Sequence, residues 1–228
     1  MRMTTVAGLD GCRGGWVLAL VEPRRQGLRL RELRVIGSLA ELDRAGRLAC
    51  IGIDIPIGLP ERGTRDADRL ARAALGDRRN SVFLTPTRPA LAEPTRAAAD
   101  IVNRANDAGG VSAQSFGLFA KIREADAWVR TTSNRVVEVH PEVSFTQLLG
   151  HPARSSKKTT AGLFERMEAL QAAGLDPLPA RKLECTPDDA MDAVVAAWSS
   201  WRVAEGAAVP FPPEQLLDAT GLPMQILA

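Results

Sequence analysis

Tyrosine is absent from this chain, and phenylalanine and tryptophan together make up only 4% of its 228 residues. A stacking platform for single-stranded nucleic acid is built from aromatic rings, so this composition argues against that class of binder. Three cysteines, Cys12, Cys50 and Cys185, stand far apart, with no CxxC pair. That spacing offers neither a disulfide framework nor a zinc site and suits a reducing compartment. No apolar run approaches ~18 residues and no signal-peptide pattern opens the chain, so the expectation is a cytoplasmic protein without a membrane span. Charge of one sign is also missing. The 29 Lys+Arg against 27 Asp+Glu leave a net charge of +2, so any nucleic-acid surface must be a local patch. No G-x-x-x-x-G-K-[ST] loop occurs, which removes the P-loop nucleotide sites.

What is present reads first as sheet. Thr5–Asp10 and Gly15–Val21 are apolar runs joined by a glycine-rich turn, and LRLRELRVI at Leu28–Ile36 alternates as an edge strand. Ser38 is placed to cap a short helix closed by Gly46. Cys50–Ile53 is a short buried run, after which Pro56, Gly58 and Pro60 stop the ladder. The middle is helical: Thr64–Leu75 with Thr64 as cap, Thr95–Ala108, and Ser112–Val129. A strand at Asn134–Val139 follows. Helices at Pro141–Leu149, Thr159–Ala173 and Pro187–Ala204 complete the pattern, the last capped by Thr186. The tail from Val209 is proline-rich and reads as weakly structured. A three-strand antiparallel meander followed by strands alternating with helices predicts an α/β protein. It would be one domain over 1–228, a mixed sheet flanked by helices, with a helical insertion at about 60–130.

Two short apolar runs end in aspartate, AGLD at Asp10 and IGID at Asp54. A carboxylate at the tip of a buried strand costs desolvation unless a cation or several donors meet it. Two on neighbouring strands raise that cost, and a divalent metal is the usual resolution. Capping of the following loop is the alternative for each. In TPDDAMDAVVAAW, Asp189 and Asp192 share a helix face. Capping and dipole compensation account for Asp188 and Asp189. They do not reach Asp192, a full turn further in, on a face rich in Ala and Val.

GLDGCRGGW, IGIDIPIGLP, the SVF segment at Ser81–Phe83, EVHPEVSF and DDAMDAVVAAW together resemble the family called domain of unknown function 429, described as predicted RNase H-like nucleases. The resemblance spans about Ala7 to Trp201. The first and last motifs are also similar to those of Holliday-junction resolvases, where the fourth strand usually carries Glu in place of Asp54. What the resemblance implies is an RNase H-like fold in which Asp10, Asp54, Asp189 and Asp192 hold Mg²⁺ or Mn²⁺. The activity implied is that of a metal-dependent nuclease, a hydrolase acting on nucleic acid. Its likeness in EVHPE adds Glu142 as a catalytic candidate, although dipole compensation also explains that residue.

Arg13 at the tip of the glycine turn is placed to contact a phosphate, or is an exposed turn residue. Lys121 is a second candidate phosphate contact, or a surface charge. Arg65, Arg69 and Arg72 fall at helical spacing within an arginine-rich stretch from Arg62 to Arg88. They read as a rail for a nucleic-acid backbone or as a solvated face, with Lys157-Lys158 extending it. Two other functions remain open on this sequence: a phosphate-handling enzyme of the actin and sugar-kinase type, and a catalytically silent binding module. Oligomeric state is not written in it.

Overall fold

The computed structural model describes residues 5–25, 27–44, 46–175 and 184–228. Its strands are β1 (Val6–Cys12), β2 (Gly15–Pro23), β3 (Leu28–Ile36), β4 (Ile51–Ile53), β5 (Val136–Glu138), β6 (Pro210–Phe211) and β7 (Ile226–Leu227). Its helices are α1 (Asp66–Leu75), α2 (Arg88–Leu91), α3 (Arg96–Ala105), α4 (Ala113–Gly117), α5 (Phe119–Val129), α6 (Pro141–Leu149), α7 (Thr160–Ala172) and α8 (Pro187–Ala204). The strands form one mixed sheet in the order β3-β2-β1-β4-β5-β7-β6. The expected α/β architecture is present: β1, β2 and β3 are an antiparallel meander, and β4 runs parallel to both β1 and β5.

The chain divides into two compact units. The first comprises Met1–Asp54, Thr132–Val209 and Leu227–Ala228. Its core is the β-branched and small side chains of the central strands packed against α8, with Val6, Val17, Val21, Val137, Phe145, Val194 and Trp198 among them. The second comprises Ile55–Thr131 and Pro210–Ile226 and holds α1 to α5. There Asp218 accepts the backbone N–H groups of Leu59, Thr220 and Leu222 and the Arg88 guanidinium at 2.6 Å, so the C-terminal turn is fastened within its own unit.

Several local expectations are corrected. Thr64 does not cap α1: the helix starts two residues later, behind Arg65, with no side-chain cap. The segment Ser112–Val129 is two helices, α4 capped by Ser112 and α5, separated after Gly117, where glycine weakens a helix. Leu39–Arg44 is a 3₁₀ turn, and the Glu41 carboxylate, not the Ser38 hydroxyl, accepts the N–H groups of Gly37 and Ser38. The tail carries two short strands, with Val209 and Ala228 exchanging backbone hydrogen bonds at 2.6 and 3.0 Å. No helix among the described residues is long and apolar enough to cross a membrane.

Candidate functional site

The geometry begins with two glycines. Gly8 in β1 and Gly52 in β4 are register partners, and α8 lies directly over them. A Cβ on Gly8 would fall 2.1 Å from both the Ala193 carbonyl oxygen and the Ala197 nitrogen. One on Gly52 would meet Ser200 Oγ at 2.5 Å and Ala196 O at 2.9 Å. Small residues on both sides, Gly8 and Gly52 below and Ala193, Ala196, Ala197 and Ser200 above, therefore bring helix and sheet backbones close together. Ser200 Oγ donates to Ala7 O at 2.7 Å while Ala193, earlier in the helix, lies over Gly8, later in the strand, so α8 runs antiparallel to β1 and its N-terminal turns lie toward Asp10.

Side chains two apart on a strand share a face. Asp10 therefore points the way Gly8 does, and Asp54 the way Gly52 does, both toward α8. The Asp54 N–H donates to Leu9 O at 2.9 Å, which holds it in line with β1. Above them Asp192 is 1% exposed and Asp10 7%, while Asp54 is half-buried. The three carboxyls feel one another. Burial, then the charges of Asp54 and Asp192, push Asp10 well above the usual carboxylate range. Burial raises Asp54 to about 6, against the relief given by Lys157 and by a hydrogen bond to Asp10. Burial raises Asp192 to about 7 against the pull of Lys157.

Lys157 is the cation of this cluster. Its ammonium donates to Asp192 Oδ2, and burial is outweighed by Asp192, then Asp54 and Asp10, so its proton is held more firmly than in free lysine. Sequence reasoning placed Lys157 only on a surface rail. A lysine in a loop between two helices gives no periodic signal.

The remaining candidates are placed as follows. Asp189 is half-buried at the rim. Its N–H is capped by Thr186 at 3.3 Å, and its charge still reaches Asp10. Glu142 is not free. Arg166 clamps both of its oxygens at 2.6 and 2.9 Å, with the two side chains 6% and 1% exposed, although its charge is felt at Asp54 and Asp192. Arg13 stands exposed in the two-residue turn of the β1–β2 hairpin, made possible by Gly14 at φ +90°.

Lys121, Arg65, Arg69 and Arg72 belong to the second unit. The basic stripe is corrected there. The Arg65 side chain is 1% exposed, bonded to Asp68 at 2.5 Å and to the carbonyls of Ile57 and Gly58, because an acid three residues on draws it inward. It has no face to offer a phosphate. Arg69 is exposed and paired with Asp66, and Arg72 donates to Val82 O. Lys121 is half-buried on α5.

The fit of a divalent ion rests on the donors. Three carboxyls, those of Asp10, Asp54 and Asp192, lie near enough to raise one another's charge cost, and Asp192 Oδ1 is buried with no hydrogen-bond partner. Type and charge suit Mg²⁺ or Mn²⁺. As the side chains stand, however, no three His, Cys, Asp or Glu residues among those described are spaced to enclose an ion. Lys157 holds Asp192 instead.

Fold and site together define an α/β protein with an acidic centre where the parallel pairing of β1 and β4 ends, crossed by one helix. The chain belongs to the family of proteins of unknown function DUF429, which matches residues 8–216. Comparison with curated proteins and with solved structures gave no match.

Proposed function

We propose that the protein is a metal-dependent phosphodiesterase acting on nucleic acid, as an RNase H-like fold of this family would imply. One observation carries the reading: carboxylates from β1, from the residue after β4 and from α8 come together beneath α8, and among the described residues Lys157 is the cation that acts on all three. Asp10, Asp54 and Asp192 would hold the ion, with Asp189 at the rim. When bound, Mg²⁺ or Mn²⁺ would supply a water of lowered pKa and neutralise the developing charge on phosphate. The chain's own part is to hold the three carboxyls together beneath α8, where burial favours their protonated forms until a cation's charge offsets it. Arg13, exposed on the hairpin tip, and Lys158, exposed beside Lys157, would take phosphate oxygens without reading bases.

The test is cleavage of labelled DNA and RNA oligonucleotides with Mn²⁺, with chelator, and by Asp10→Asn. Metal-dependent cleavage that the variant lacks supports the reading. Cleavage undiminished in Asp10→Asn would remove it.

A second reading, a silent binding module of the same fold, is favoured by one feature: Lys157 already compensates Asp192, and Arg166 already compensates Glu142. Such a module would bind oligonucleotides without cleaving them and show no metal-dependent stabilisation.

A further inference from the structure

Lys157 does not arrive at Asp192 by chance of a long side chain. The segment 154–159 is held by five hydrogen bonds. Glu165 accepts the N–H groups of Arg154 and Ser155 at 2.8 and 3.0 Å. Arg166 Nη1 donates to Ser155 O at 3.1 Å. Thr159 Oγ1 donates to Ser156 O at 2.8 Å and accepts the Gly162 N–H at 3.1 Å. Gly162 itself admits the loop: a Cβ there would lie 2.0 Å from Ser156 O. A solvated lysine needs none of this. The same Arg166 that clamps Glu142 also anchors the loop, so the loop and the acidic centre are built as one piece.

Two further observations say what the ammonium is doing. It satisfies only one oxygen of Asp192 and leaves Oδ1 buried and unpaired, a costly arrangement for a carboxylate. And while Asp192 is 1% exposed, the Lys157 side chain is 34% exposed, so it enters from the solvent side and has a way out. By contrast Arg166, 1% exposed, meets both oxygens of Glu142, although its own Nε is left without a partner.

We propose that Lys157 is a resident counter-ion that holds the cation position of the cluster until a divalent ion displaces it, so that metal binding and release of the lysine are one exchange. The inference rests on the reading of Asp10, Asp54 and Asp192 as metal ligands. An ammonium and a divalent ion drawn to the same carboxylates repel each other, and the ion brings twice the charge to Asp10, Asp54 and Asp192. The released ammonium stays on its anchored loop next to Lys158, where the natural partner for both is an anion. A phosphodiester bound there would stabilise the displaced lysine. Metal and substrate would then each favour the other's binding. Without substrate the protein would hold metal weakly.

The test is Mn²⁺ binding by calorimetry, together with melting temperature with and without Mn²⁺. It is run on the wild type, Lys157→Met, Lys157→Arg and Asp192→Asn. Methionine keeps the length and flexibility of the side chain and removes its charge. The expected result is Mn²⁺ affinity about ten-fold higher in Lys157→Met, within the usual range of coupling between sites. Its metal-free melting temperature should fall, and Mn²⁺ should close the gap. Lys157→Arg, which keeps the charge, should bind Mn²⁺ as weakly as the wild type, and Asp192→Asn should not bind it. Equal affinity in wild type and Lys157→Met overturns the exchange while leaving the metal site standing, as does a loss of binding in Lys157→Met alone. No Mn²⁺ binding in any of the four proteins overturns the metal reading, and the exchange with it.

Discussion

Gly8→Ala probes the contact on which the acidic centre depends. The added methyl carbon would sit 2.1 Å from two backbone atoms of α8, where ordinary contact begins at 3.4 Å, so the helix must move outward by about 1.3 Å. Neither clashing atom belongs to a side chain that can rotate away. Overpacking a core costs ~1–3 kcal/mol, and a rigid backbone neighbour places this case at about 3 kcal/mol. For a protein of this length that lowers the melting temperature by about 6–12 °C. The control is Gly14→Ala, whose added carbon meets nothing within 4 Å. Its cost is left-handed strain alone, ~1–2 kcal/mol. Thermal melts by circular dichroism on the two variants, and on Gly52→Ala, give the ordering: Gly8→Ala should melt lowest. Moving α8 also draws Asp192 away from Asp10 and Asp54, so the response to Mn²⁺ should weaken in Gly8→Ala and persist in Gly14→Ala. A Gly8→Ala protein melting within about 2 °C of wild type would mean that α8 does not lie on β1 at this distance. The convergence of the carboxylates would fall with it.

Metal-free stability should decline as pH rises from about 4 to about 7. Asp54 and Asp192, ordinarily near 3.8, are raised to about 6 and about 7, so the folded state retains protons that the unfolded chain has released. Urea melts across that range should show a shallower decline in Asp192→Asn, and an identical slope would contradict the assignment. Glu142→Gln should cost ~3–5 kcal/mol by leaving the Arg166 guanidinium buried and unmatched. A denaturation midpoint unchanged from wild type would show that this pair is solvated. Arg65→Ala should destabilise markedly, whereas Arg69→Ala, at an exposed ion pair, should shift stability by less than ~1 kcal/mol. Equal midpoints for the two would restore Arg65 to the surface.

Much of the fold was legible because it depends on local patterns. The alternation of Leu28–Ile36 and the Thr186-capped Pro187–Ala204 match the observed elements residue for residue. Asp10, Asp54 and Asp192 were legible because each breaks a local rule: two acids follow short apolar runs, although β1 continues two residues past Asp10, and one sits mid-helix among alanines. What escaped is non-local. Arg65 shares helical spacing with Arg69 and Arg72, but it lies before the helix start and is turned inward by Asp68. Glu142 was read through the helix dipole, yet its partner Arg166 comes from a different helix, 24 residues on. Lys157 was hidden for the same reason. Its role comes from the Glu165, Arg166 and Gly162 contacts that aim its loop, and spacing in the chain does not reveal them.

The central claim, that Asp10, Asp54 and Asp192 form one cation site, is tested most directly by anomalous diffraction from a crystal soaked in Mn²⁺. The account predicts a manganese peak within ~2.0–2.6 Å of oxygens from all three carboxylates, with Lys157 turned away from Asp192. A map with no peak at the cluster and Lys157 still bound to Asp192 would contradict it.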